Sequence, residues 1–74
     1  MASLPVVSGE AAIRAFERAG WRRARQKGSH VSMVKTGINV NLSVPLHKEL
    51  DKGTLRKLIR LSGLSVDEFV ALSD

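Results

Sequence analysis

The sequence contains no cysteine, few aromatic residues and no long apolar run, and these absences exclude several classes of protein. Without cysteine, neither disulfides nor a thiolate metal site can stabilise the chain. The two histidines and the scattered carboxylates show no metal-ligand spacing, so we expect neither a metal nor a cofactor. No apolar stretch approaches the roughly 20 residues of a membrane-spanning helix, so no membrane partner is expected.

The N-terminal segment, residues 1–5, lacks the charged start and the apolar stretch of a signal peptide. We therefore expect a soluble, cytoplasmic protein. The 74 residues suffice for one domain, predicted to span residues 1–74. A chain of this length buries only roughly 60–65% of its unfolded surface, so any chemistry is expected on an open face rather than in a deep cavity.

Basic residues outnumber acidic ones by twelve to seven, which gives a formal net charge of +5 and a sequence pI near 10.5. Such a balance favours polyanionic partners, nucleic acid first. It equally favours an acidic protein partner, and a net charge far from zero also serves solubility alone. Composition therefore leaves these alternatives open.

Three helices are predicted from apolar residues that recur at helical spacing. The first covers Gly9–Ala19, with Ser8 as its expected N-cap. The second is expected to use Thr54 as its cap and to end at Gly63. The segment Ser65–Glu68 has the pattern of a capping box and predicts a final short helix.

Three strands are predicted between the first two helices. Trp21–Gln26 alternates imperfectly, and a bulge within it would bring Trp21 and Ala24 to the same side. Ser29–Lys35 follows a predicted two-residue turn at Lys27-Gly28. Ile38–Val44 alternates strictly between apolar and polar residues, which is typical of a half-buried antiparallel strand.

The alternation within the second strand determines which residues face solvent. If Val31 and Met33 lie on the buried side, His30 and Ser32 lie on the opposite side. The outward residues of the third strand, Asn39, Asn41 and Ser43, would share that face. His30 is therefore expected on an open polar sheet surface and not in the core.

The order of these elements predicts an α+β fold of the type α-β-β-β-α followed by a short C-terminal helix. A three-stranded antiparallel sheet with helices on one face leaves its other face to solvent. The double-stranded-RNA-binding domain shares this architecture. The polar outer face, and not an enclosed pocket, becomes the candidate site.

His30 is the candidate catalytic residue because imidazole can accept or donate a proton near neutral pH. It follows the turn residues Gly28 and Ser29, which come directly after a basic segment. Cationic side chains can hold a phosphate and its developing charge. The candidates for this binding role are Arg22, Arg23, Arg25, Lys27 and Lys35. His47 could supply a complementary acid, or be a hydrogen-bonded residue at a strand end.

Several segments, taken in order and at their spacing, resemble the HicA toxin family. The resemblance extends from about Ser8 to the C-terminus and depends on six segments together: Gly20-Trp21, Arg25–His30, Val44–His47, Gly53–Arg60, Gly63–Ser65 and Glu68-Phe69. It implies a small mRNA-cleaving toxin with a fold like that of the double-stranded-RNA-binding domain. It also implies inhibition by a HicB-type antitoxin. The catalytic histidine of the family corresponds to His30, and Gly28 and Ser29 match the same motif.

Two other functions remain alternatives on the same scaffold. The fold and the charge would also serve a module that binds RNA or protein without cleaving RNA. A DNA-binding protein is less favoured, because readers of the major groove usually present a helix and not a sheet. Replacing His30 distinguishes these functions, because a binding module would keep its activity without this histidine and a nuclease would lose it.

Overall fold

The computed structural model describes residues 3–73. Met1 and Ala2, which belong to the segment predicted to lack the features of a signal peptide, lie outside the described residues. The observed order of elements confirms the predicted α+β architecture. The helices are α1 Gly9–Arg18, α2 Lys52–Ser62 and α3 Val66–Leu72. The strands are β1 Arg22–Lys27, β2 His30–Val34 and β3 Leu42–Pro45. None of the helices in this part of the chain has the length and apolar composition needed to cross a membrane.

The three strands form one antiparallel sheet in the order β1-β2-β3, and the core lies between this sheet and the helices. Val31 and Met33 of β2 are buried while His30 is exposed, as the alternation predicts. The rings of Phe16 on α1 and Phe69 on α3 lie 5.2 Å apart at 52°. Each large apolar side chain buried here contributes about 1.5–3 kcal/mol. The largest fully buried side chains are Phe16, Phe69, Ile13, Met33, Leu42, Leu55, Val31 and Val44.

Two of the three predicted helix caps are confirmed. Ser8 accepts a hydrogen bond from the amide of Ala11 at 3.0 Å. Ser65 and Glu68 form the reciprocal capping box, and these bonds lower the pKa of the Glu68 carboxyl. Both predictions succeed because every atom of such a cap belongs to one short segment.

The predicted cap of α2 is wrong. Asp51, not Thr54, is the N-cap, and the helix begins at Lys52. The Asp51 carboxylate accepts from the Thr54 hydroxyl at 2.7 Å and from the Thr54 amide at 2.9 Å. These bonds favour the charged carboxylate and lower its pKa. Thr54 therefore serves as a donor in the first turn of the helix.

The third strand is also shorter than predicted, because residues 38–41 are not part of the sheet. Ile38 and Val40 remain 44% and 38% exposed. In the observed register Met33 pairs with Leu42, so residues 38–41 would lie opposite residues 34–37. The chain turns at Thr36-Gly37, where the Ile38 amide bonds to the Lys35 carbonyl, and offers no partner strand there.

The predicted bulge in β1 is present, and Ala24 is the residue without a partner. Arg23 pairs with Met33 and Arg25 pairs with Ser32, so the register shifts by one residue between them. Ala24 is nevertheless exposed, whereas Trp21 is 2% exposed and belongs to the core. The bulge therefore sets the direction of the flanking arginines and does not bring Ala24 into the core.

Gly9 allows the first turn of α1 to lie directly against the end of β3. Its amide donates to the His47 carbonyl at 2.9 Å. A Cβ at this position would overlap the Pro45 carbonyl oxygen and approach Leu46 Cα at 3.0 Å. We expect Gly9→Ala to lower the free energy of unfolding by about 1–3 kcal/mol, the usual cost of overpacking. Urea unfolding monitored by circular dichroism measures this change.

Gly53→Ala is the matched control for that substitution. A Cβ at Gly53 would meet only the Asp51 Oδ2 atom, at 3.3 Å, so this oxygen needs to shift by only a few tenths of an ångström and can still accept from the Thr54 amide. We expect this variant to change the free energy of unfolding by less than about 1 kcal/mol, since alanine also favours the helix. Equal losses in the two variants would contradict the packing argument.

Candidate functional site

The turn that carries His30 lies one residue later than predicted. Lys27 pairs with His30, so the two-residue turn consists of Gly28 and Ser29. Gly28 has a φ of 59°, which fits a tight hairpin turn with glycine at its first central position. The Ser29 carbonyl accepts from the Leu46 amide at 2.6 Å. The turn is thus held by β1 on one side and by the segment after β3 on the other.

Cross-strand pairing places three cationic residues on the same face as His30. Lys27 pairs with His30, Arg25 with Ser32, and Arg22 with Val34. These pairs alternate with the buried Val31 and Met33, so they belong to the face that points away from the helices. We call the residues Arg22, Arg25, Lys27 and His30 the outer strip.

The outer strip is open and close-spaced. All four of its residues are exposed. Directly paired residues have Cβ atoms about 4.5–5.5 Å apart, so Lys27 reaches the immediate surroundings of His30. Within residues 3–73, Arg25 and Lys27 form no ion pair and no side-chain hydrogen bond, while Arg22 Nη1 donates to Thr36 Oγ1 at 3.4 Å. The strip therefore presents unneutralised positive charge to solvent.

Arg23 lies on the opposite face from Arg22, its neighbour in the strand, and the bulge separates it from Arg25. Its guanidinium bonds to Glu10 of α1 at 2.5 Å and to Glu17 at 3.4 Å. The hydrogen bond to Glu10 raises the pKa of Arg23 above its usual value. Because the side chains are about half exposed, such pairs contribute at most about 1 kcal/mol each. Arg23 joins β1 to α1 and lies away from the other predicted phosphate-binding residues.

Lys35 also has a partner within the fold. Its Nζ donates to the Ala19 carbonyl at the C-terminal end of α1, at 2.9 Å. A cation at this end of a helix offsets the partial negative charge of the last carbonyls. Of the five cations predicted to bind phosphate, Arg22, Arg25 and Lys27 form one row on the face that carries His30, with Lys27 paired to His30 and Arg22 at the far end of β1. Arg23 and Lys35 bond instead to α1 and its C-cap.

His47 lies at the same end of the sheet as His30. Pro45 pairs with His30, and the hydrogen bond from Leu46 to Ser29 extends this pairing by one residue. The His47 carbonyl accepts from the Gly9 amide, so its backbone is fixed between α1 and the turn. The side chain is exposed. The backbone of His47 thus lies one residue beyond the segment that bonds to the turn before His30.

The chemistry available on this face is that of the exposed His30 imidazole beside a row of cations. No group of three or more His, Asp or Glu side chains among residues 3–73 is arranged to hold a metal ion. Proton transfer by imidazole and charge stabilisation by Arg and Lys both act on phosphate esters without a metal. The open sheet surface has no enclosing walls, so a long polyanion can lie across it.

A second polar surface could not be identified from the sequence. A groove of about 260 Å³ lies between β3 and α2 and is lined by Asn41, Ser43, Thr54, Lys57, Leu58 and Leu61. The polar pattern of β3 indicates that Ser43 faces solvent. This pattern does not show that α2 lies beside Ser43, because residues 54–61 belong to a separate element whose position depends on the folded structure.

Comparisons with known proteins agree with this fold. A family model described as HicA toxin of bacterial toxin-antitoxin matches residues 9–64. A chain from a solved toxin–antitoxin complex of Streptococcus pneumoniae is 32% identical, with a TM-score of 0.69. That alignment covers 78% of this chain and 98% of the other. No curated protein matches the sequence.

Proposed function

The chain belongs to the HicA toxin family of bacterial toxin–antitoxin systems, and from this premise we propose that it is a metal-independent endoribonuclease acting on messenger RNA. The observation that supports this proposal most directly is the outer strip, in which His30 is paired with Lys27 and flanked by Arg25. An imidazole and several cations on one open face are the minimum that RNA cleavage requires.

The proposed reaction uses the 2′-hydroxyl of the RNA as the nucleophile. His30 removes the proton of this hydroxyl, and the 2′-oxygen then forms a bond to the adjacent phosphorus. The bond from phosphorus to the 5′-oxygen breaks, and the departing oxygen takes up a proton. A positioned imidazole can accept a proton from a hydroxyl, which is what the first step needs. We propose His47 as the donor for the last step, because its backbone is held beside the same turn.

The remaining residues of the proposed site bind the RNA backbone. Arg25 and Lys27 have no competing partner within residues 3–73, so they are available to phosphate oxygens. Gly28 has open space where a side chain would project, and a phosphate can approach the backbone of Gly28 and Ser29 closely. Arg22 extends the same row of charge. Arg23 and Lys35 contribute less directly, through the general positive field.

We further propose that a HicB-type antitoxin inhibits the chain and that both act in the cytoplasm. The similar Streptococcus pneumoniae chain belongs to a toxin–antitoxin complex, which supports a protein partner of this kind. Inhibition follows if the partner covers the outer strip, since this strip lies on an open surface with no other protection.

The direct test is incubation of the purified chain with a defined messenger RNA in the presence of EDTA. We expect cleavage into discrete fragments, because the proposed chemistry needs no divalent ion. RNA that is bound but remains intact would support a non-catalytic binding module instead. RNA that is cleaved only after Mg²⁺ is added would contradict the metal-independent mechanism.

Salt dependence should reveal which cations contact phosphate. For single-stranded nucleic acid, each phosphate contact contributes about 0.7 to the slope of log K against log salt concentration. We expect the double variant Arg25→Ala, Lys27→Ala to reduce this slope by about 1.4. Fluorescence anisotropy with a labelled RNA, measured in the His30→Ala background to prevent cleavage, gives the slope.

Arg23→Ala serves as the control for that measurement. Because Arg23 bonds to Glu10 and Glu17, its loss should lower the melting temperature slightly and leave the salt slope nearly unchanged. A fall of about 0.7 in Arg23→Ala, half that of the double variant, would show that the RNA does not distinguish the outer strip from the rest of the basic surface.

A further inference from the structure

The groove between β3 and α2, which we call the β3–α2 groove, has the composition of a small-molecule site. Leu58 is 4% exposed and forms an apolar floor, with Leu61 half-buried beside it. Asn41, Ser43 and Lys57 are exposed around it. Its volume of about 260 Å³ is slightly below the range of about 300–1,000 Å³ typical of ligand pockets. One base-sized group fits, and a longer segment does not.

The polar groups at the rim of this groove have unused hydrogen-bonding capacity. Within residues 3–73, the Asn41 amide, the Ser43 hydroxyl and the Lys57 ammonium form no side-chain hydrogen bond or ion pair. Thr54 donates its hydroxyl proton to Asp51 and keeps its acceptor lone pairs. The groove thus offers donors, acceptors and one positive charge above an apolar floor.

This combination is complementary to a nucleotide. A nucleobase has a flat apolar face that can lie on leucine side chains, and an edge of donors and acceptors that amide and hydroxyl groups can read. The adjoining phosphate is anionic and suits Lys57. An extended acidic peptide would also meet Lys57, but it would bring no flat ring to the small floor formed by Leu58.

The β3–α2 groove adjoins the outer strip across the width of the sheet. Ser43 pairs with Ser32, and two residues further along β3 the buried Pro45 pairs with His30. His30 is on β2, and the neighbouring strand β3 lines the groove. Neighbouring strands lie about 4.8 Å apart. An RNA whose backbone follows the cations of β1 and passes His30 on β2 reaches β3 next.

We propose that the β3–α2 groove binds one unstacked nucleobase of the RNA next to the cleaved bond and so determines which sequences are cut. The base lies against Leu58 and Leu61, its edge bonds to Asn41 and Ser43, and its phosphate contacts Lys57. This assignment rests on the proposed ribonuclease function for its biological meaning. Binding of the base itself does not depend on cleavage and can be measured separately.

The first test titrates the isotopically labelled full chain with each of the four ribonucleoside 5′-monophosphates, followed by NMR. We expect shifts centred on Asn41, Ser43 and Lys57, with one nucleotide bound at least about threefold more tightly than another. Inorganic phosphate is the probe for charge alone. Identical shifts with inorganic phosphate, or shifts confined to the outer strip, would overturn the proposal.

Filling the groove should remove this binding. Leu61→Trp places an indole over the apolar floor, and we expect it to weaken nucleotide binding at least about tenfold. Val70→Trp is the matched control, because Val70 is 39% exposed on α3 and does not line the groove. Equal affinities in the two variants would overturn the assignment, provided that both variants melt as cooperatively as the wild type.

The second test maps the cleavage sites of a mixed RNA pool by sequencing. We expect Asn41→Ala to relax the preference at one position beside the cut while the chain still cleaves, a change that a purely structural role would not produce. An unchanged preference would overturn the proposal. If the wild-type chain cleaves no RNA, the nuclease function fails, and the nucleotide titration alone decides the groove.

Discussion

Replacing His30 with alanine should abolish RNA cleavage by this chain without changing its fold. A general acid or base contributes about 10²- to 10⁴-fold to a reaction rate, so the initial rate should fall by at least that lower factor. His30 is exposed and has no side-chain hydrogen bond within residues 3–73, so its removal leaves no buried cavity and no unpaired group. Induced expression of the variant should therefore permit growth where the wild type arrests it.

Ser32→Ala is the matched control for His30→Ala. Ser32 lies on the same strand and the same face, one outward position away from His30. Circular dichroism and thermal melting verify that both variants fold. We expect the control to cleave RNA within a few-fold of the wild type. If His30→Ala cleaves RNA as fast as this control, His30 is not the catalytic residue. If the wild type and both variants bind RNA but none of them cleaves it, the chain is a binding module.

Replacing Phe69 with alanine should cause the largest loss of stability of any single truncation in α3. Phe69 is fully buried, lies 5.2 Å from the ring of Phe16, and is the buried residue of a seven-residue helix. Truncating a buried phenylalanine costs about 3–5 kcal/mol. A domain of this size has a total stability of only about 4–11 kcal/mol, so the substitution should remove a large share of it and lower the urea midpoint strongly.

Val70→Ala is the neighbouring control for this prediction. Val70 is 39% exposed, and its truncation should change the free energy of unfolding by less than about 0.5 kcal/mol. Urea unfolding of both variants gives the comparison. A Phe69→Ala variant that unfolds with nearly the wild-type midpoint would mean that α3 contributes little to the core, and that Phe16 packs adequately without it.

Elements defined by nearby residues can be predicted from the sequence, and elements that depend on a distant partner cannot. The caps at Ser8 and Ser65 involve only three or four consecutive residues, and both predictions are confirmed. The strand expected at residues 38–41 is absent because the segment that would pair with it turns at Thr36-Gly37. The alternation of apolar and polar residues gives no information about this missing partner. Asp51 and Thr54 are both good capping residues, and only the observed hydrogen bonds decide between them.

In the candidate site too, features of contiguous residues can be predicted from the sequence, and features that depend on strand pairing cannot. The exposure of His30 on the sheet can be predicted from the alternation of its strand, whereas the turn before it lies one residue later than the predicted turn at Lys27-Gly28. Simple alternation would put Arg23 and Arg25 on one face, and their separation cannot be assigned from the sequence, because the position of the register shift between them is visible only when β1 is paired with β2. The β3–α2 groove cannot be predicted from the sequence, because Ser43 and Lys57 come together only in the folded chain.

The bulge at Ala24 also protects the sheet against self-association. β1 is an edge strand, and an edge strand with regular unpaired amides and carbonyls is a template for another chain. A bulge interrupts that template, and the exposed cations of β1 repel a second copy carrying the same charges. The opposite edge, β3, has only four residues and ends in Pro45, which lacks an amide hydrogen. Both edges of this small sheet are thus poorly suited to fibril growth, and the chain can keep an open, flat surface without aggregating through it.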